Sequence, residues 1–296
     1  MDFKDRKILV LGKNGRLGRA LLAQLGDTGT GLGHIECNFL DDNFTGKLES
    51  NISAIINTAA YTNVDKAESE RDKAFRINAE APDELAAWCE KHHTPLVHMS
   101  TDYVFDGSCN IPYREYDKTE PINVYGESKL AGEQAIKAQG CDYLIMRTSL
   151  LYDATSENFF TAIRRKLREQ DLLDIIADQI CAPTYTSHLA KALLSILAAA
   201  INQPRFPSGI YHLCNSGEAS RYDFAQAIFE QEKIHSQNLK CHTLSPITMG
   251  IYPTPARRPL NCRLDCSLAR ETFGIVMREW EEGLRECFSR LSSRMK

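Results

Sequence analysis

The sequence predicts a doubly wound α/β fold, a parallel sheet covered by helices on both faces, joined to a smaller, discontinuous α/β lobe. Three observations carry this reading. Short, continuously apolar runs alternate with helical stretches through the first half of the chain. A glycine-rich turn follows the first run and opens a helix. After about residue 150 the alternation loosens.

Taken in order, residues 7–11 form a buried strand and Arg16 to Leu25 the helix it feeds. Further strands are expected at 54–57, 96–100 and 143–147. A long helix is expected over 69–92, with a kink or break at Pro82. Another spans about 124–139 and stops at Gly140, a residue suited to the left-handed turn that ends helices. Beyond 150, residues 175–177 and 210–213 read as isolated strands between helices. Ser220 and Asp223 have capping-box spacing, with Asp in place of the usual Glu or Gln. Three prolines make 253–259 a loop, and Trp280, Leu284 and Phe288 recur at helical spacing as a core stripe. Residues 1–150 are read as one domain, to which later segments return, and 151–296 as mostly the second lobe.

Composition narrows the classes. The chain has 296 residues, 43% of them hydrophobic and 25% charged, as expected for a globular protein. A net charge of −4 gives no electrostatic reason for a nucleic-acid or acidic-membrane partner. No apolar run approaches a membrane span, and the N-terminus has no signal-peptide core. The ten cysteines are scattered and none forms a C-x-x-C pair. Reduced, buried thiols in a cytoplasmic protein are the expectation. Cys262 and Cys266 have the wrong spacing for a zinc knuckle, and His92-His93, His188 and His212 suggest no ligand set, so no metal site is predicted.

Two patterns carry chemistry. In Gly12-Lys13-Asn14-Gly15-Arg16-Leu17-Gly18, glycines permit a tight bend whose backbone N–H groups can hold a pyrophosphate at a helix N-terminus. This marks 1–150 as a dinucleotide-binding domain. The acidic or basic residue that usually ends the next strand is missing from the glycine-rich stretch 26–33, so NADH and NADPH remain equal candidates. Tyr125 and Lys129 stand at i and i+4 and share one helix face. A cation there is expected to lower the phenol's pKa and make it a usable proton donor and acceptor. Thr101, at a strand's C-terminal edge, faces the crevice where ligands bind in such sheets. Together these residues point to hydride transfer at a carbon bearing oxygen.

Thr101, Tyr125 and Lys129 resemble the Ser/Thr–Tyr–Lys centre of extended short-chain dehydrogenases, which are Rossmann-type proteins. More narrowly, the chain resembles the dTDP-4-dehydrorhamnose reductases through an ordered set of motifs: 12–18, 57–68, 100–105, 123–133, 147–149, 178–179, 182–184 and 252–259. The resemblance implies that Gly15, Arg16 and Leu17 lie along the cofactor pyrophosphate, and Asn38 and Phe39 near the adenine. By the same resemblance Ala60, Tyr61 and Thr62 line the nicotinamide side, and Tyr125 and Lys129 touch the nicotinamide ribose. Thr101 and Asp102 would contact the sugar, and Arg257 and Arg258 would reach the nucleotide diphosphate. The implied reaction is NADPH- or NADH-dependent reduction of the C4 ketone of dTDP-4-dehydro-L-rhamnose, for cell-surface polysaccharide synthesis, by a monomer or homodimer.

The chain departs from the family pattern at several positions. Leu150 replaces the usual substrate-packing tryptophan, Cys181 a glycine, and Cys262 a serine. Some members hold Mg²⁺ through an acidic residue where this chain has Ala20, which argues against a metal. Two alternatives stay open. One is a reductase of another dTDP-4-keto sugar of the streptose type. The other is a noncatalytic nucleotide-binding subunit like that of methionine adenosyltransferase, although such a module has no need of Thr101, Tyr125 and Lys129 together. An epimerase or dehydratase would share the Tyr–Lys pair, but tends to have a longer C-terminal half.

Overall fold

The computed structural model describes residues 3–236, 238–251 and 253–294; Tyr252, first residue of the last motif, lies outside them, as do Met1 and Asp2. The first half contains β1 (Ile8–Leu11), α1 (Arg16–Leu25), β2 (Gly29–Leu32), β3 (Ala54–Asn57), α2 (Val64–Ala67) and α3 (Arg71–Phe75). It continues with α4 (Ala81–Lys91), β4 (Leu96–Thr101), α5 (Val124–Gln139) and β5 (Tyr143–Thr148). There follow β6 (Leu151–Tyr152), α6 (Phe159–Glu169), β7 (Leu172–Ile176), β8 (Ile180–Cys181), β9 (Thr184–Tyr185) and α7 (Thr186–Ile201). The chain closes with β10 (Gly209–His212), β11 (Ala219–Ser220), α8 (Arg221–His235), β12 (Thr243–Ile247), α9 (Ser267–Phe273) and α10 (Trp280–Arg294).

Six strands form one sheet in the order β2-β1-β3-β4-β5-β10, every neighbouring pair parallel. Alternation sorts their side chains between two cores. Ile8, Val10, Val97, Met99, Leu144 and Met146 face α1 and α7, whereas Leu9, Leu11, Ile145 and Leu96 face α4 and α5. Strand order reverses between β1 and β3, which opens a crevice at their C-terminal ends. Residues 210–213, expected as an isolated strand, instead supply β10 at the sheet's edge, because Gly209–His212 pairs with Leu144–Arg147.

A second core gathers Tyr152, Phe160, Ile163, Phe224, Ile228, Trp280, Leu284 and Phe288 from β6, α6, α8 and α10. The predicted stripe of Trp280, Leu284 and Phe288 is thus internal packing. Beside it β7 and β12 pair in parallel.

Helix ends follow local chemistry. Gly140 ends α5 in the left-handed conformation, and Ser220 and Asp223 complete the capping box of α8. The break expected at Pro82 appears one turn earlier, as a π-helical turn over Arg76–Glu80. Pro82 has no N–H to give the Asn78 carbonyl, and α5 exploits the space: a Cβ on Gly132 would come within 2.0 Å of that oxygen. All ten cysteines are free, and eight are buried. No described helix is long and apolar enough to cross a membrane.

One buried ion pair fixes the elements around the crevice. Arg147 of β5 donates from Nε and Nη2 to Glu133 of α5 at 2.9 and 2.6 Å, and Ser100 Oγ of β4 donates to the same carboxylate at 2.5 Å. The Arg147 guanidinium also stacks over Phe105, 5.1 Å from the ring centroid. The ends of β4 and β5 are thereby tied to the helix that carries Tyr125 and Lys129.

Candidate active site

A cleft of about 740 Å³ runs along the crevice. Its floor at one end is the glycine turn. Gly12 takes φ +83°, and a Cβ there would lie 2.8 Å from the Ala59 backbone nitrogen, so only glycine fits between β1 and the loop after β3. Gly15 donates its N–H to the Gly12 carbonyl and starts α1 with no side-chain cap. The orphan N–H groups of that helix start therefore suit an anion. Gly15, Arg16 and Leu17 line the cleft, while Gly18 packs beneath them; its Cβ would strike the Gly12 carbonyl at 2.2 Å. Asn38 and Phe39 line the far wall, and Ala60 and Thr62 the near one.

Tyr61 does not line the cleft. Its hydroxyl donates to Glu70 at 3.1 Å, and its backbone is clipped to Asn78, whose Oδ1 accepts from Tyr61 N–H and whose Nδ2 donates to Tyr61 O. Arg257 and Arg258 likewise lie outside the lining. Arg258 pairs with Asp65 at 2.8 Å and the Arg257 carbonyl accepts from Asn123. Arg258 thus takes a neighbouring carboxylate as its countercharge, and neither arginine lines the cleft.

At the other end Thr101, Tyr125 and Lys129 converge on the cleft. The N-cap of α5 is Asn123, whose side chain accepts from Gly126 N–H, and this start places Tyr125 in the first turn. Thr101 Oγ1 donates to Asp102 at 2.9 Å and accepts from Tyr103 N–H. Asp102 also accepts from Ser149 at 2.7 Å, and burial pushes its carboxyl up.

The expected depression of the Tyr125 phenol is reversed. Burial pushes it up to about 12, opposed by the Thr101 hydroxyl and by the charge of Arg16. Lys129 is turned elsewhere: its Nζ donates to the Met99 carbonyl at 2.6 Å and lies 3.0 Å from His98 Nε2. Burial carries the lysine itself down to about 8.

Several lining residues escape a sequence reading. Arg221, first residue of α8, reaches the cleft with Nε on Gln179 at 2.9 Å and its guanidinium over Phe159. Among the described residues no carboxylate forms an ion pair with it, which leaves a cation facing the cleft. The capping box before it was the one available signal. Leu150 lines the cleft with φ +37°, an unusual backbone for a non-glycine residue. Its carbonyl is held by Thr184 N–H. Cys181 and Cys262 sit on the same wall. Among the described residues no group of three or more His, Cys, Asp or Glu side chains could hold a metal ion.

A doubly wound parallel sheet with an uncapped glycine turn at one end of its crevice and a Thr–Tyr–Lys set at the other defines a nucleotide-dependent oxidoreductase. Residues 6–293 match the family described as the RmlD substrate binding domain. A dTDP-4-dehydrorhamnose reductase of Sinorhizobium fredii is 39% identical over 291 residues, covering 94% of this chain and 95% of the relative. The crystal structure of such a reductase from Clostridium acetobutylicum superimposes with a TM-score of 0.89 at 34% identity, covering 97% and 99% of the two chains. One from Bacillus anthracis, in complex with NADP, gives 0.88 at 32% identity, covering 96% and 99%. The chain belongs to the dTDP-4-dehydrorhamnose reductase family.

Proposed function

We propose that this protein reduces the C4 ketone of dTDP-4-dehydro-L-rhamnose to dTDP-L-rhamnose with NADPH or NADH. The observation that carries the reading is the convergence of Thr101, Tyr125 and Lys129 on the same cleft as the uncapped start of α1. The nicotinamide, when bound, supplies the hydride. Gly15, Arg16 and Leu17 hold its pyrophosphate, Ala60 and Thr62 flank the nicotinamide, and Asn38 and Phe39 receive the adenine. As hydride reaches the sugar carbon, Tyr125 gives its proton to the developing alkoxide. A phenol held near 12 is fully protonated at neutral pH, the state a donor requires. Thr101 gives its hydrogen to Asp102, so it presents an acceptor to Tyr125 or to a sugar hydroxyl; to donate to the alkoxide it must release that carboxylate. Arg221 is the anchor for the diphosphate, since its guanidinium lines the cleft and forms no ion pair with a described carboxylate. Leu150 offers the sugar an aliphatic wall.

The cofactor occupies the sheet domain, and the sugar nucleotide sits against the lobe formed mainly by 151–296. Scattered free cysteines and a net charge of −4 support a cytoplasmic enzyme acting on a small molecule without nucleic acid or membrane, which we take to work as a monomer or homodimer. Nicotinamide absorbance followed with each cofactor and dTDP-4-dehydro-L-rhamnose tests the assignment. Tyr125→Phe should cost roughly 10²–10⁴-fold in kcat while cofactor binding persists. A folded, cofactor-binding wild type without turnover would refute the substrate and direct the assay to other 4-keto sugars.

A further inference from the structure

The two nicotinamide cofactors differ only at the 2′-position of the adenosine ribose, a free hydroxyl in NADH and a phosphate ester in NADPH. In doubly wound sheets an acidic side chain at the end of the second strand, about 20 residues past the glycine turn, binds the free hydroxyl. Here β2 ends at Leu32, and the next residue, Gly33, lines the cleft together with Asn14 and His34. No carboxylate lines this end. Among the described lining residues Asp102 is the only acid, and it stands beside Thr101 at the catalytic end.

The space an acid would need at Gly33 is already filled. A Cβ there would lie 2.8 Å from Asn14 Nδ2, 3.3 Å from Glu36 Oε2 and 3.4 Å from Lys13 Cε. Glu36 is itself engaged on both oxygens: Oε2 accepts from Gly33 N–H at 2.9 Å and Oε1 from Lys13 Nζ at 2.5 Å. The two side chains remain 31% and 41% exposed for Lys13 and Glu36, and an exposed pair of this kind is weak. Lys13 can therefore leave one carboxylate for a phosphate ester, which carries up to about two negative charges at neutral pH. Arg19 of α1 adds positive charge nearby. It lines the cleft with Nη1 on the Asn14 carbonyl at 2.7 Å, and Asp153 is 3.6 Å from its Nη2.

We propose that this chain selects NADPH over NADH, with Lys13 and Asn14 holding the 2′-phosphate and Gly33 withholding the acid that a free ribose hydroxyl requires. Lys13 rests on Glu36 when no phosphate is present and turns to the phosphate when one is bound. Asn14 Nδ2 can only donate and adds a second hydrogen bond to the same group. The inference rests on the reading of this cleft as a dinucleotide site and deepens it by naming the cofactor.

Calorimetric titration of the full-length protein, without sugar substrate, isolates the 2′-phosphate in two matched pairs: NADPH against NADH, and adenosine 2′,5′-bisphosphate against 5′-AMP. The phosphorylated member of each pair should bind about tenfold tighter or more, the factor that one charge-assisted hydrogen bond supplies. Lys13→Met should remove most of that difference by weakening NADPH, with NADH unchanged. The ³¹P signal of the bound 2′-phosphate gives a readout that general damage to the fold does not move. Its second ionisation, at about pH 6 in a free phosphate ester, should lie lower in the wild-type complex and return upward in Lys13→Met. Glu36→Gln frees Lys13 and should leave NADPH at least as tightly bound. Equal affinities for the two cofactors in the wild type, or equal losses of both in Lys13→Met, overturn the proposal. So does a collapse of NADH binding alone in Glu36→Gln, which would make Glu36 the ribose acid. A folded protein that binds none of these ligands sinks the dinucleotide reading of the cleft, and the selectivity with it.

Discussion

Removing one partner of the Glu133–Arg147 pair should damage this protein far more than removing both. Both side chains are at most 2% exposed. Glu133→Gln abolishes the charge and turns an N–H group toward Arg147 Nη2 or Nε, which loses one charge-assisted hydrogen bond, leaves the other on a neutral acceptor and strands a guanidinium. Each such bond contributes about 1.5–3 kcal/mol, and an uncompensated buried charge costs about 3–5 kcal/mol in all. In a chain of this size that lowers Tm by on the order of 10 °C. Arg147→Met should cost about the same, because it strands the carboxylate. The double variant Glu133→Met/Arg147→Met leaves no charge behind and should recover to within about 1–2 kcal/mol of the wild type. Urea unfolding of the four proteins measures the cycle through the transition midpoints at constant slope. Single variants that each cost less than about 1 kcal/mol, or a double variant as unstable as their sum, would refute the reasoning.

Two further outcomes follow from the same geometry. Gly12→Ala forces a side chain into a left-handed turn and into the Ala59 backbone; stability should fall by about 1–3 kcal/mol and cofactor affinity more steeply than kcat, as measured by titrating the nicotinamide cofactor. Stability should also depend on pH through the buried pair on α5. Lys129 titrates near 10.5 when unfolded and about 8 when folded, so between these values the unfolded chain binds more protons and this group's contribution rises with pH, by roughly 3 kcal/mol. The Tyr125 phenol, pushed up to about 12, acts oppositely above pH 10, where the unfolded chain loses its proton first. Urea midpoints across pH 8–10, compared with those of Lys129→Met, isolate the rising component; equal slopes in the two proteins would contradict it.

What the sequence disclosed and what it hid divide along contact distance. The glycine turn, the Tyr125–Lys129 spacing and Thr101 at a strand end were legible because each depends on a few consecutive residues. The cap of α8 was legible too, but nothing local said that Arg221 behind it would face the cleft. The ion pair of Arg258 was illegible because its partner, Asp65, lies nearly two hundred positions away in the chain. Asn57 and His98 meet only through the register of β3 on β4. The upward shift of the Tyr125 phenol is also a product of the assembled fold, since burial drives it; helical spacing brings Lys129 onto the right face, but β4 supplies the carbonyl and imidazole that capture its Nζ.

Asn78 ties two parts of the site together. Its side chain holds both backbone groups of Tyr61 and also donates to Ser128 of α5, while its carbonyl abuts Gly132 one turn further along that helix. The loop proposed to flank the nicotinamide and the helix that bears the proposed proton donor are therefore tied through one side chain. On the proposed reaction, the spacing between hydride and proton is thus set by the fold itself. Whatever adapts to the sugar must do so from the opposite wall, through Leu150, Cys181, Arg221 and Cys262.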